Sequence, residues 1–160
     1  MPMRIGTEMP RFEGASEWIN KDVVEALEEV KGRPTLVHFW SVSCHICKDN
    51  MPRVSEWRDK YKDEGLRVIA VHMPRYPSDA DVEAVREAIT KHNIVEPCAI
   101  DNEHKLRDAF KNDQGYVPAY YLFDAEGKLR SFAAGERGLD MLHSAMNRVL
   151  AAAASQEATG

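Results

Sequence analysis

Apolar positions along this chain fall into short continuous runs separated by stretches of helical period. Residues 35–40 and 66–73 are almost continuously apolar and rich in strand formers, the pattern of strands buried on both faces. Residues 98–100 and 119–123 repeat that pattern more briefly. Residues 129–133 follow a turn at Asp124-Ala125-Glu126-Gly127 and predict a hairpin. Between the runs, apolar residues recur every three or four positions: Val23, Val24, Leu27 and Val30; then Met51, Val54, Trp57 and Tyr61; then Val82, Val85, Ala88 and Ile89. A short helix is expected at Leu106, Ala109 and Phe110. A last one carries Leu139, Leu142, Met146, Val149 and Leu150. Pro52 falls inside the second helical stretch and predicts a kink, because it lacks an amide proton and crowds the preceding turn. Ser78, with Asp81 three residues on, reads as the start of the third helix. The first nineteen residues show few regular patterns, and the small, polar tail over 151–160 predicts a frayed end. Strands alternating with helices, then a hairpin and a helix, give an α/β layer architecture.

A length of 160 residues fits one domain, placed at residues 1–150. The net charge of −5, with acids and bases interspersed, argues against nucleic acid as a partner. No apolar run is long enough to cross a bilayer, so no membrane partner is expected. The start, Met1-Pro2-Met3-Arg4-Ile5-Gly6, carries no apolar segment of the secretory kind. For a complete product, that makes a cytoplasmic location the expectation. Three cysteines are too few for a disulfide scaffold.

The chemistry lies at Cys44-His45-Ile46-Cys47, directly behind Phe39-Trp40. A pair at this spacing, opening a helix after a buried strand, is a redox pair more often than anything else. The helix N-terminus carries about half a positive charge, which stabilises a thiolate on Cys44 as the attacking group. Cys47, one turn on and on the same face, is placed to resolve a mixed disulfide. A closed zinc site needs four ligands, and beyond Cys98 only scattered His residues remain.

With these elements in order, the chain resembles thioredoxin-fold proteins, and within them the TlpA-like thiol-disulfide oxidoreductases. The likeness rests on Val37-His38-Phe39-Trp40, on Cys44-His45-Ile46-Cys47-Lys48, on Pro52, on Val117-Pro118 before a strand, and on the hairpin turn ending at Lys128. It covers roughly residues 4–150. It implies a thioredoxin-like fold: a central mixed β-sheet flanked by helices, with an N-terminal extension and a central strand–helix insertion near residues 78–101. The nearest relatives implied are small stand-alone bacterial members without a membrane anchor. Departures are clear. Where thioredoxins carry a buried Asp six residues before the first cysteine, this chain has His38. Where they have Trp just before that cysteine, it has Ser43, and between the cysteines His45-Ile46 replaces Gly-Pro. Anchored TlpA-like reductases often carry Glu three residues after the second cysteine, where Asn50 stands here.

The resemblance places His38 beneath the pair, as a candidate base for Cys47 or as a core histidine satisfied by a hydrogen bond. It places Pro118 opposite the pair after a cis bond, with the Val117 backbone open to an extended substrate. His45 as a cation would stabilise the Cys44 thiolate, and Ile46 would form an apolar rim. Trp40 stands with the substrate-side residues, although packing beside the motif is its more ordinary role. Lys48 reads as a solvated helix residue, and Cys98 as a buried thiol.

The expected function is thiol-disulfide exchange with disulfide-containing protein substrates, run as a reductase by a monomer. The redox-active Cys44–Cys47 disulfide needs no other cofactor. Re-reduction needs an electron donor, for which a thioredoxin-reductase-type flavoenzyme is the expectation. One rival is a peroxide reductase on a related fold. That chemistry is marked by Pro-x-x-x-Thr-x-x-Cys, and the stretch up to Cys44 has neither Pro nor Thr where it should. A copper-delivery metallochaperone, suited to soft thiolates, and a non-catalytic adaptor are further rivals.

Overall fold

The computed structural model describes residues 2–159, with side chains through residue 156. In chain order the strands are β1 (Glu17–Ile19), β2 (Thr35–Trp40), β3 (Arg67–His72), β4 (Cys98–Ile100), β5 (Ala119–Phe123) and β6 (Leu129–Ala134). The helices are α1 (Val23–Val30), α2 (His45–Lys60), α3 (Val82–Lys91), α4 (Lys105–Ala109) and α5 (Leu139–Thr159). The six strands form one mixed sheet in the order β1-β4-β3-β2-β5-β6. Strands β2, β3 and β4 run parallel, whereas β1, β5 and β6 each pair antiparallel with their neighbours. This is the thioredoxin-like fold, with α3 and β4 as the central insertion.

Alternation along the central strands sends successive side chains to opposite layers. Val37, Phe39, Ile69 and Val71 point into a core closed by Met3, Phe12, Leu106 and Phe110. Phe110 packs there against Phe12, Phe39, Tyr121 and Phe123, at ring separations of 5.1–6.2 Å that include the Tyr121 contact. On the other face, Leu36, Val68, Tyr120 and Leu122 pack with Val54 and Trp57 of α2 and with Leu142 and Met146 of α5. A third cluster on that face joins Trp40 and Ala70 to Cys44, Cys47 and Met51, with Val85 and Ile89 of α3 as its far wall. The cysteine pair thus sits where α2 leaves the sheet and α3 packs beside it.

Two sequence expectations are corrected. The N-terminal stretch is not patternless. It forms β1 at the sheet edge, and Glu8 bridges to Lys128 beside the hairpin. Pairing with a strand some eighty residues on is invisible to local periodicity. Pro52 lies inside α2, on its exposed face. The third helix is capped by Asp81, whose carboxylate accepts from the Glu83 N–H at 3.1 Å, and Ser78 instead lies in a single 3-10 turn over Pro77–Ala80. Over the tail, α5 runs to Thr159, as the high helix propensity of the alanines from Ala151 to Ala154 allows.

Candidate active site

Strand β2 ends at Trp40, a three-residue loop follows, and Cys44 is the N-cap of α2. The Cys44 backbone is extended (φ −88°, ψ 106°), and its Sγ accepts from the Cys47 N–H at 3.0 Å. The sulfur therefore takes the place of a capping oxygen. It meets one of the N–H groups that a helix start leaves without an intrahelical partner. Cys44 and Cys47 are joined as a disulfide, with their Cα atoms 5.3 Å apart. Each residue is only 2 % exposed. When the bond opens, the same N–H group and the helix charge are in place to stabilise a Cys44 thiolate.

The loop before Cys44 is held by a buried carboxylate. Asp79 Oδ2 accepts from Ser41 Oγ at 2.9 Å, from Ser43 Oγ at 2.8 Å, and from the backbone N–H groups of Arg75 and Tyr76 at 2.9 and 3.2 Å. Burial pushes this carboxyl up, but the four donors outweigh burial and hold it below the ordinary carboxylate value. Arg75 adds a second tie, donating to the Ser43 carbonyl at 2.8 Å. Tyr76, beside it, is 57 % exposed.

Behind the same loop, the Val42 N–H donates to His72 Nε2 at 3.1 Å. A ring nitrogen that accepts is unprotonated, so neutral His72 carries its proton on Nδ1, which is buried without a partner. Burial lowers the His72 pKa to about 4, against a smaller opposing pull from Asp79. Its ring meets Trp40 edge-on at 4.8 Å.

His38 lies on the α2 face of β2, two residues before Trp40. Its Nε2 is 2.7 Å from Glu96 Oε2, and Glu96 Oε1 accepts from Arg58 at 2.7 Å. The base candidate is therefore engaged by a buried carboxylate. The core-histidine reading is met at one nitrogen, and the other is left over.

The remaining expected site residues divide clearly. Trp40 is 1 % exposed and packs in the cluster that holds the two cysteines, the packing role weighed for it from the sequence. His45 has a side chain 88 % exposed, with Asp49 3.4 Å away, so water and a carboxylate both compete for its charge. Ile46 and Val117 are half-buried and pack on the cysteine cluster from two sides. The Val117–Pro118 bond is cis, and Pro118 is buried. Cys98 is fully buried in that cluster as a free thiol. Burial pushes its pKa up to about 12, with Trp40 and the His72 backbone pulling the other way.

Sequence reasoning missed Asp79, Glu96, Arg58 and His72. Asp79 stood inside what reads as a helix start, and Glu96 before a proline reads as an ordinary loop charge. Only His72, a polar residue ending an apolar run, carried any local signal.

Comparison with known proteins agrees with this geometry. The AhpC/TSA family profile matches residues 5–132. The chain is 49% identical over 150 residues to the thiol-disulfide oxidoreductase YkuV of Bacillus subtilis, covering 93% of this chain and 98% of that one. It is 32% identical over 143 residues to the protein DipZ of Mycobacterium bovis, covering 88% of this chain but 20% of DipZ. Among solved structures, it is similar to a thioredoxin-like protein in its oxidised form, with a TM-score of 0.82 and 48% identity over 93% of this chain and 98% of that one.

Proposed function

The chain belongs to the AhpC/TSA family and is a thiol-disulfide oxidoreductase of thioredoxin-like fold, and on that footing we propose that it reduces disulfides in protein substrates in the cytosol. The observation that carries this is the Cys44–Cys47 pair at the start of α2, with Cys44 Sγ on the helix N–H groups. Reduced Cys44, as thiolate, attacks one sulfur of the substrate disulfide, and the other leaves as a thiolate. Cys47 then attacks Cys44 Sγ and gives its proton to His38. The substrate sulfur bound to Cys44 then leaves with the electron pair, and the Cys44–Cys47 disulfide remains. Ile46 forms an apolar rim, and the Val117 backbone pairs with an extended substrate segment as a neighbouring strand would.

Reductive direction and a cytosolic setting stand together, because a reducing poise keeps the pair as a dithiol. Two electrons per turnover come from a donor, proposed to be a flavoenzyme of the thioredoxin-reductase type acting on a monomer. No cofactor beyond the cysteine pair enters these steps.

Insulin reduction driven by dithiothreitol is the test. The protein is expected to accelerate it, and Cys44→Ser and Cys47→Ser each abolish the effect. Faster turnover of hydrogen peroxide than of protein disulfides would replace this reading with a peroxide reductase. Redox-state trapping of the pair in fractionated cells tests the direction and the compartment.

A further inference from the structure

His38 of β2, Glu96 just before β4 and Arg58 of α2 form a continuous hydrogen-bonded line, and no local sequence pattern brings them together. His38 lies on β2 opposite Ala70 of β3, and Ala70 lies opposite Cys98 of β4. The single methyl of Ala70 lets the imidazole reach across β3 to Glu96, just before β4. Glu96 is held there from both sides. Asn20 Nδ2 donates to the Ile94 and Glu96 carbonyls at 2.9 and 2.8 Å, and Arg58 donates to both the Asn93 carbonyl and the Glu96 carboxylate. Burial pushes the Glu96 carboxyl up, but its bonds to His38 and Arg58 prevail and keep it ionised.

An ionised carboxylate can only accept, so the His38 nitrogen facing it must carry a proton. A neutral imidazole has one proton, which makes Nδ1 the only basic nitrogen of His38. Its Nε2 is the nitrogen that meets Glu96, at 2.7 Å. His38 shares its sheet face with Trp40 and its strand pairing with Ala70, both in the cluster that holds Cys47.

We infer that Glu96 is the positioning residue of the resolving half-reaction, fixing the Nε2–H form of His38 so that Nδ1 receives the Cys47 proton. This rests on the proposed exchange cycle with His38 as base. Once the proton has moved, the imidazolium faces a carboxylate at 2.7 Å in a buried setting, where opposite charges interact far more strongly than in water. Arg58 keeps that carboxylate charged between turnovers. Other ionisable groups lie around the line. Cys47 and Cys98 are buried in the cluster that includes Trp40 and Ala70, and Tyr120 of β5 pairs with His38 in the strand register, its hydroxyl taken by Asn50 at 3.1 Å. The outer end at Glu96 and Arg58 lines a pocket of about 170 Å³ that also includes Lys21, Glu29, Asp59, Lys62 and Arg67. Of the cations there, Arg58 is the one whose hydrogen bond favours the charged form of Glu96.

The test uses the full chain carrying a thionitrobenzoate mixed disulfide on Cys44. Cys47 attacks Cys44 Sγ, the bond to thionitrobenzoate breaks, and the coloured thiolate leaves as the proton passes to His38. Glu96→Gln keeps the shape but removes the charge. It is expected to slow release about tenfold near neutral pH, a modest part of what a general base contributes. In nitrogen-15 spectra the variant is also expected to lose the preference of neutral His38 for the Nε2–H form, because Gln can donate as well as accept. Glu96→Asp should recover most of the rate. Nitrogen-15 spectra of the unmodified protein should show the neutral His38 proton on Nε2. A proton on Nδ1 would overturn the inference without any variant. So would a Glu96→Gln protein that releases thionitrobenzoate at the parent rate, or one that is slower yet keeps the parent's His38 tautomer. If His38→Ala releases thionitrobenzoate as fast as the parent, the base reading itself fails. If His38→Ala is slow and Glu96→Gln is not, only the role of Glu96 fails.

Discussion

Asp79 accepts a hydrogen bond from Ser43 Oγ at 2.8 Å, which anchors a buried carboxylate one residue upstream of the attacking Cys44. The same oxygen holds Ser41 and two backbone N–H groups of the loop after β3, so one atom joins the two loops that flank the disulfide. Asp79→Ala leaves four donors without their acceptor. Unfolding in urea should show a loss of roughly 2–4 kcal/mol, the scale for stranding buried polar groups. Insulin reduction should slow severalfold, because the residue before Cys44 loses its tether. A stability within about 0.5 kcal/mol of the parent, typical of an inconsequential surface change, would mean that water replaces the carboxylate and the tether does not matter.

His72 makes stability depend on pH. Its folded pKa of about 4 lies below the ordinary value of 6.5, so between these values the unfolded chain binds a proton that the folded one does not. Stability is therefore intact above the unfolded value and falls as pH drops from 6.5 toward 4, by roughly 2–3 kcal/mol at pH 4.5. Urea midpoints at neutral pH and at pH 4.5, compared with His72→Gln, measure this. The variant should lose much less over that interval, and an equal loss in both proteins would assign the acid sensitivity to the carboxylates instead.

Cys98 should be silent in catalysis. Its thiol is fully buried, and its pKa is pushed up to about 12 by burial. Cys98→Ser should keep most of the insulin-reducing activity. In the native oxidised protein, no thiol should react with iodoacetamide until denaturant is added. Loss of activity comparable to Cys44→Ser would contradict the two-cysteine cycle.

The reduced pair should be asymmetric. Cys44 caps α2 and receives the Cys47 N–H, so its alkylation should follow an apparent pKa below that of free cysteine. His45, 88 % exposed and near Asp49, should contribute little, and His45→Ala should move the alkylation curve only slightly. A large displacement in that variant would show that the imidazolium turns toward Cys44 once the disulfide opens.

Much of this protein can be read from its residues alone. The two buried strands, the helix opened by Cys44, the hairpin at Asp124 and the redox pair are all local. Each follows from periodicity, turn chemistry or a spacing of three residues, and these act over distances the chain covers in a few steps. His38 and Val117-Pro118 needed a resemblance to place them, because their meaning depends on what stands opposite. Tertiary structure alone decided the rest. Asp79 reaches Ser43 across 36 residues, Glu96 reaches His38 across 58, and β1 finds β4 at the sheet edge. No local pattern marks such pairs. A buried carboxylate or histidine looks like any loop charge or strand residue until folding removes water and forces each lone pair and proton to find a partner in the protein.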